Sequence, residues 1–311
     1  MENILVTDNV RHSVWILYAL LTFLTFLGWG MKLREKNVDN FLVRLKTFWK
    51  IVVFLTIAFS FNFLTTVCLL AFISYLALKE YFSMIPTRNA DRRALFWAYL
   101  SIPVQFYFIY IGWLNMFFLL IPLYLFLLIP ARMAIVGETK DFLKSCACIH
   151  WGLMVCVYAL GYVCVYFIQT FKTPLPQGAL GCVLYILYLT IFNDFMQYVF
   201  GKTLGKNAIT PKVSPHKTWE GFIGGVLSTG VISMWAAPFL TPLSSLEGFF
   251  VGFGLACCGF LGDIVMSSLK RDLGIKDTGT ILPGHGGILD RVDSLIFTAP
   301  LFFHYISYFY N

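Results

Sequence analysis

Residues 51–78 read IVVFLTIAFSFNFLTTVCLLAFISYLAL and contain no charged side chain. A helix needs about 20 apolar residues to cross the roughly 30 Å hydrocarbon layer of a bilayer. This run is therefore long enough for one long tilted helix, or for two shorter helices that turn near Asn62. Both arrangements indicate a helical protein whose solvent is lipid.

The composition of the whole chain leads to the same fold class. Hydrophobic residues make up 59% of the 311 residues and charged residues only 13%, a balance that a water-soluble domain of this length does not need for its core. We predict an all-α, polytopic transmembrane bundle of about 9–10 helices with polar loops on the cytoplasmic side. Besides a pair inside 51–78, helices are expected at about 13–30, 94–111, 115–131, 146–171, 178–200, 221–240, 247–269 and 292–310.

The distribution of Lys and Arg favours the pair of helices and predicts the orientation. Cytoplasmic loops of membrane proteins are enriched in these residues. With hairpins near Asn62 and Asn115, 21 of the 23 Lys and Arg residues fall on one side, in segments 31–50, 79–93, 131–145, 201–220 and 269–293. We therefore expect a multi-pass protein of the plasma or inner membrane with both termini outside. The net charge of +7 reports this orientation, and no nucleic-acid partner is expected.

The amino-acid composition of the chain changes near residue 190. Residues 1–190 are expected to be membrane helices with basic loops, and segment 31–50 suits either a helix in the head-group layer or a solvated linker. Residues 191–311 place acidic side chains within or beside apolar helices and fill the loops with Gly, Pro, Lys and His. Because a carboxylate at membrane depth is unfavourable unless it is paired, hydrated or bound to metal, we expect the catalytic region here.

Two segments before residue 226 combine acidic, basic and hydroxyl side chains. Asp194 lies in IFNDFMQY (191–198) and is followed by Lys202, so it is either a helix-end ion pair or part of a site. The stretch TPKVSPHKTWEGFIGG (210–225) carries hydroxyl and ammonium donors at the start of a helix. Such donors suit a phosphate, although a loop that touches anionic lipid would have the same composition.

The most informative segment begins at Gly262-Asp263 and closes with LPGHGGILDRVD (282–293). Its charged residues include three carboxylates and four cations beside a Gly-rich turn that together suit a site: Asp263, Asp290, Asp293, Lys270, Arg271, Lys276 and Arg291. Carboxylate oxygens hold Mg²⁺, and Lys and Arg neutralise phosphate oxygens, so the set fits a metal-assisted phosphoryl or nucleotidyl transfer. His285 stands alone between glycines as a phosphate contact, a structural donor or a general acid.

The pattern S-x-L-K-R-(x4)-K-D-T-G-x-x-L-P-G-H-G-G-x-x-D-R-x-D, which ends at Asp293, resembles the signature of the phosphatidate cytidylyltransferases, also called CDP-diacylglycerol synthases. The resemblance covers roughly residues 190–300. It implies a homodimeric membrane enzyme that converts CTP and phosphatidic acid into CDP-diacylglycerol and pyrophosphate. It also implies Mg²⁺ and a second cation such as K⁺, with the active site on the cytoplasmic side.

The resemblance assigns roles to individual residues of this chain. The metal would be bound by Asp263 and Asp290, with Asp293 as a further acidic position, and Lys270, Arg271 and His285 would join the two aspartates as catalytic residues. The substrates would contact Asp194, Tyr198, Lys202, Lys212, Ser214, Lys217, Thr218, Lys276 and Arg291. One departure is the bulky segment Phe195-Met196-Gln197, where family members commonly have small residues.

Three other functions are compatible with the same residues. The chain could transfer the cytidylyl group to a different lipid phosphate, such as an isoprenoid-based one, because the bulk of residues 195–197 would narrow or reshape the pocket. It could be a lipid or nucleotide transporter, since carboxylates within a membrane also form translocation paths. It could also be a paralogue without catalytic activity that binds partners, which only the segment Phe195-Met196-Gln197 suggests. The intact acidic and basic positions of the signature argue against the last of these.

Overall fold

The structure is a computed structural model that describes residues 8–33, 39–88, 91–169, 177–279, 281 and 286–310. Its helices and π-helical turns are α1 (Asp8–Leu33), α2 (Asp39–Ser60), α3 (Phe63–Met84), α4 (Arg92–Tyr110), α5 (Leu114–Leu119), a π-helical turn (Leu120–Leu125), α6 (Phe126–Ala134), α7 (Phe142–Leu153), a second π-helical turn (Met154–Ala159), α8 (Leu160–Val165), α9 (Gly178–Leu204), α10 (Trp219–Leu240), α11 (Ser245–Asp272) and α12 (Leu289–Tyr310). Because α5–α6 and α7–α8 are each continuous through a π-helical turn, the described residues form ten helical rods.

Seven of these rods are long and apolar enough to cross a bilayer. They are Asp8–Lys32, Phe63–Met84, Leu114–Ala134, Phe142–Val165, Gly178–Leu204, Trp219–Leu240 and Ser245–Asp272. Large aromatic side chains such as Trp15 and Trp235 point outward, with 70% and 78% of their surface exposed. An apolar exterior of this kind suits contact with lipid. The expected all-α, multi-pass membrane fold is confirmed.

The uncharged run at 51–78 is divided between two helices, and the expected turn at Asn62 is confirmed. The Asn62 side chain accepts a hydrogen bond from the backbone N–H of Thr65 at 2.9 Å and so caps the start of α3. Both helices are longer than the sequence predicted, because they continue into the flanking basic segments.

For residues 39–50 the alternative of a solvated linker over 31–50 is wrong, whereas a helix in the head-group layer stays a prediction. These residues form the first half of α2, while residues 34–38 lie outside the described part of the chain. The helix continues there because Leu45 and Val52 pack with Leu21 of α1 in a small cluster of their own. Lys46 and Lys50 remain exposed on the other side of α2.

A short β-hairpin replaces the loop that the sequence predicted between α9 and α10. Strands β1 (Ala208–Thr210) and β2 (Ser214–Thr218) are antiparallel and pair Ala208 with Thr218 and Thr210 with Ser214. Thr218 then caps α10, since its hydroxyl oxygen accepts the N–H of Gly221 at 3.1 Å. The hairpin therefore has a fixed position over the ends of these helices.

The core includes residues from both sides of position 190. Phe302 and Phe303 of α12 are fully buried, and the hydroxyl of Tyr166 donates to the carbonyl of Ala299 at 3.0 Å. The division into 1–190 and 191–311 stays a prediction about the sequence. The C-terminal ends of α9 and α11 lie beside the N-terminal ends of α10 and α12. This packing brings polar side chains together at one end of the bundle.

Candidate active site

A cavity of about 240 Å³ lies between the C-terminal half of α9, the hairpin and the facing turns of α10 and α11. Its walls are Asp194, Gln197, Tyr198, Ser214, His216, Lys217, Thr218, Gly221, Phe222, Phe260 and Asp263. Six of the residues predicted from the sequence to form the site are in this list. The rings of Phe222 and Phe260, with centroids 4.5 Å apart, form its apolar part.

The charged centre of the cavity is an ion pair between the hairpin and α11. The Lys217 ammonium lies 2.5 Å from Oδ2 of Asp263 and 4.7 Å from the centre of the Phe260 ring. The other carboxylate oxygen of Asp263 accepts a hydrogen bond from the Ser267 hydroxyl at 3.2 Å. About a third of the Asp263 side chain, 34%, remains exposed, so an incoming group can reach it.

Two more carboxylates lie close to Asp263. Asp194 and Asp293 each experience electrostatic repulsion from Asp263, and the Ser294 hydroxyl lies 3.5 Å from Oδ1 of Asp194. Helices α11 and α12 approach closely because Gly262 has no side chain: a Cβ there would lie 2.7 Å from the Asp293 carbonyl oxygen. The site therefore concentrates negative charge that favours cationic partners.

Asp290 belongs to a second, buried cluster. Its Oδ1 lies 2.7 Å from the Lys270 ammonium, and its Oδ2 accepts hydrogen bonds from the Thr278 N–H at 2.8 Å, the Thr278 hydroxyl at 3.0 Å and the Gly287 N–H at 3.1 Å. Burial by itself raises the pKa of this carboxyl, but the hydrogen bonds from Lys270 and Thr278 outweigh it and hold the pKa below its usual value. Asp290 therefore stays ionised near neutral pH.

Lys270 connects the two clusters, because its charge also acts on Asp293. Asp263, Ser267 and Lys270 are four and three residues apart in α11, so they lie on one face of that helix. Thus Asp263 meets Asp194 at the cavity with Asp293 close by, while Asp290 is held among backbone donors. The assignment of Asp263 and Asp290 as joint metal ligands stays a prediction.

The remaining predicted residues lie around these clusters. Arg271 is exposed and donates to the carbonyls of Val213, at 3.1 Å, and Ile275, at 3.4 Å, so it fastens the hairpin to α11. The Lys202 ammonium lies 5.8 Å from the centre of the Tyr198 ring. The other cations predicted to contact substrate are exposed: Lys212, Lys276 and Arg291. His285 lies outside the described residues.

Sequence reasoning missed two residues that the structure brings to the site. Glu80 of α3 accepts hydrogen bonds from the backbone at the start of α12, more than 200 residues away. Thr278 contacts both Glu80 and Asp290. The available signal was an acidic residue at the end of an apolar helix, but its neighbour Lys79 made that position look like a solvated helix end.

The sequence profile of the cytidylyltransferase family matches residues 42–309, which include both clusters and Glu80. The chain belongs to the cytidylyltransferase family. This membership makes it an enzyme, and the expected resemblance is confirmed.

Relatives of this cytidylyltransferase differ in how much of the chain they match. A protein of Escherichia coli K12, YnbB, whose name describes it as uncharacterized, is 40% identical over 303 residues, which are 96% of this chain and 99% of YnbB. Phosphatidate cytidylyltransferases of Staphylococcus haemolyticus and Staphylococcus aureus are each 39% identical over 147 and 158 residues. These matches cover 47% of this chain and 56% of each staphylococcal enzyme, so the chain spans about half of their length.

Proposed function

We propose that this cytidylyltransferase transfers the cytidylyl group of CTP to phosphatidic acid and forms CDP-diacylglycerol and pyrophosphate. The observation that carries the proposal is the meeting of Asp194, Asp263 and Lys217 at one cavity at the end of the membrane helices. The names of the staphylococcal relatives support phosphatidic acid as the acceptor. A lipid acceptor also fits a site built on helices that cross the bilayer.

The reaction needs neither an activated serine nor a cysteine. An oxygen of the lipid phosphate attacks the α-phosphorus of CTP, a new P–O bond forms, and the bond to the β-phosphate breaks so that pyrophosphate leaves with the electron pair. The main barrier is repulsion between anions, which fixed cations lower by neutralising phosphate oxygens. Lys217 lines the cavity, and Lys270, which is paired with Asp290, lies close enough to Asp293 for its charge to act on that carboxylate.

The acidic residues fit the Mg²⁺ that the family resemblance implies. Among the residues that the structure describes, no three His, Cys, Asp or Glu side chains converge closely enough to hold a metal by themselves. Mg²⁺ is usually bound by one or two carboxylates together with substrate phosphates, so a complete protein cage is not required. Asp263 would hold it, because this carboxylate is partly exposed to the cavity. The metal would supply positive charge to the phosphates. A second cation and a homodimer also stay predictions.

We place this reaction on the cytoplasmic side of the plasma or inner membrane. The site lies at the end of the bundle where Lys206 precedes the hairpin, where the hairpin carries Lys212 and Lys217, and where the last turn of α11 carries Lys270 and Arg271. An excess of Lys and Arg marks cytoplasmic loops. CTP would reach this side from solution, while the lipid stays in its leaflet.

The direct test of the proposed function is an assay with purified protein, CTP, Mg²⁺ and a panel of lipid phosphates that includes phosphatidic acid and an isoprenyl phosphate. The lipids are then analysed by mass spectrometry. We expect CDP-diacylglycerol from phosphatidic acid. If a CDP-lipid forms only from another lipid phosphate, that lipid replaces phosphatidic acid as the proposed acceptor. Movement of lipid or nucleotide across vesicles without any product would support a transporter.

Lys217→Met tests the role of the ion-pairing cation. Methionine keeps most of the side-chain volume over the Phe260 ring but removes the charge. We expect kcat/KM for CTP to fall by about 100-fold, because one charge-stabilising group at such a centre contributes on this scale. Lys206→Met is the matched control, since Lys206 is exposed and does not line the cavity. Equal kinetic constants for both variants would contradict a phosphate contact at Lys217.

Within the bulky segment 195–197, Gln197 is the residue that lines the cavity and limits its size. It forms part of the wall, packs against Gly225, and carries a buried amide nitrogen without a hydrogen-bond partner among the described residues. Phe195, in contrast, points outward with 59% of its surface exposed. This placement is the observation that favours an acceptor other than phosphatidic acid as a second candidate.

Gln197→Ala is expected to change the preference among lipid phosphates. Removing this side chain enlarges the cavity, and changes of this size shift the ratio of kcat/KM between two substrates by about 10-fold. Phe195→Ala is the control and should leave the ratio unchanged. Competition assays with pairs of lipid phosphates measure it. A ratio that moves equally in both variants would show that Gln197 has no special part in substrate choice.

A further inference from the structure

Glu80 is a buried carboxylate in the half of the chain that the signature does not cover. Only 5% of it is exposed. Its Oε1 accepts the backbone N–H of Ile288 at 2.9 Å, and its Oε2 accepts the N–H of Leu289 at 2.9 Å and the hydroxyl of Thr278 at 3.3 Å. A buried carboxylate is tolerated when hydrogen-bond donors surround it, and Glu80 has three.

These contacts place a negative charge at the beginning of α12. The first backbone N–H groups of a helix have no partner within the helix and carry a partial positive charge. Glu80 accepts two of these groups, directly before the turn that carries Asp290 and Asp293. The position of both aspartates therefore depends on a side chain of α3.

Glu80 also contacts residues in the middle of the segment between α11 and α12. A Cβ on Gly279 would lie 2.9 Å from Oε1 of Glu80, and a Cβ on Gly287 would lie 2.5 Å from Oε2. Because both residues are glycines, their backbone packs directly against the carboxylate. The Thr278 hydroxyl lies within reach of both Glu80 and Asp290. Because a hydroxyl has one proton, it donates to one of the two carboxylates at a time.

We propose that Glu80 is a positioning residue for cytidylyl transfer, which fixes the start of α12 and, through Thr278, the Asp290–Lys270 pair relative to the cavity. The proposal rests on the proposed function. It gives the first half of the chain an indirect part in the reaction in addition to anchoring the protein in the membrane. Glu80 does not line the cavity, so it acts through the groups that it holds.

Glu80→Gln tests this role with little change of volume. One carboxylate oxygen becomes an amide that faces a backbone N–H, so one hydrogen bond is lost and two donors oppose each other. We expect kcat with CTP and phosphatidic acid to fall on the order of 100-fold, as for a small misplacement of reacting groups. The KM for CTP should change by less than about threefold, since the cavity wall is intact.

Glu247→Gln is the matched control for loss of a structural carboxylate. Glu247 caps the start of α11, where its carboxylate accepts from the N–H of Ser244 at 2.8 Å and from the hydroxyl of Tyr310 at 3.1 Å. It should lower the unfolding temperature without lowering the kcat of the folded enzyme. If Glu80→Gln also lowers activity only in proportion to the folded fraction, the role of Glu80 is structural and the proposal fails.

Two further measurements keep the test decisive. If Glu80→Gln does not fold, Thr278→Val takes its place: it removes the bridging hydroxyl at constant shape, and an unchanged kcat would overturn the proposal. Hydrogen exchange of the Ile288 and Leu289 N–H groups is independent of turnover and should accelerate at least 10-fold in Glu80→Gln. If the wild-type protein shows no cytidylyl transfer but exchange is faster in Glu80→Gln, the proposed function is refuted and the positioning by Glu80 is supported. If exchange is unchanged in Glu80→Gln, the positioning by Glu80 is refuted.

Discussion

Asp263→Asn is expected to abolish cytidylyl transfer while the protein still folds. Among the described residues Asp263 forms an ion pair with Lys217, and 34% of its side chain is exposed, so the neutral amide stays hydrated. The Lys217 ammonium, whose side chain is 15% exposed, keeps the nearby carboxylate of Asp194 as a charge partner. Turnover should fall by about 1,000-fold, because phosphoryl-type transfer depends on charge stabilisation of the transition state. The measurement is CDP-lipid formation by purified protein together with its unfolding temperature in detergent.

Asp272→Asn provides the control for the first prediction. Asp272 is an exposed carboxylate at the end of the same helix and does not line the cavity. It should keep wild-type turnover and wild-type Mg²⁺ dependence. Normal CDP-lipid formation by Asp263→Asn would contradict the placement of the reaction at this cavity, whatever the control does.

Asp290→Asn is expected to reduce stability as well as activity. The change leaves the Lys270 ammonium, whose side chain is 13% exposed, without its carboxylate. Breaking a buried ion pair at one partner lowers the free energy of unfolding by about 3–5 kcal/mol. Because the pKa of Asp290 is lowered in the folded protein, its contribution is present at neutral pH and is lost as the pH falls below about 3.9.

The double variant Asp290→Asn with Lys270→Met separates the ion pair from the rest of the cluster. Removing both charges leaves no buried charge unpaired, so the double variant should unfold at a higher temperature than Asp290→Asn alone. It should remain inactive, since both groups belong to the site. If Asp290→Asn is as stable as the wild type, Asp290 does not stabilise the fold. That result would favour a role for Asp290 in metal binding alone.

Periodicity and charge predicted the membrane architecture because they act along the sequence. The apolar run at 51–78 and the basic segments around it indicated two helices, and the side chain of Asn62 supplies the cap that divides them. The cavity was also predictable in part: Asp194, Lys217 and Asp263 were singled out as acidic and basic residues at the ends of apolar helices, and the packing of α9, α10 and α11 brings them together.

The contacts between distant segments could not be predicted from the sequence. Glu80 is more than 200 residues from Leu289, and nothing local indicates that its carboxylate reaches that backbone. Asp263 and Asp290 look equivalent in the signature, yet Asp263 lies at an accessible cavity. Asp290 instead accepts two backbone N–H groups at one oxygen, beside the Thr278 hydroxyl that it shares with Glu80. The difference arises from the positions of Thr278 and Gly287, which only the folded chain determines.

The most direct test of the account measures both products of the reaction at once. Purified wild-type protein and Asp263→Asn are incubated with CTP, Mg²⁺ and phosphatidic acid, and pyrophosphate and CDP-diacylglycerol are quantified in the same samples. We expect equal amounts of the two products from the wild type, dependent on the lipid, and neither from the variant. Pyrophosphate without CDP-lipid, or equal products from the variant, would contradict the account.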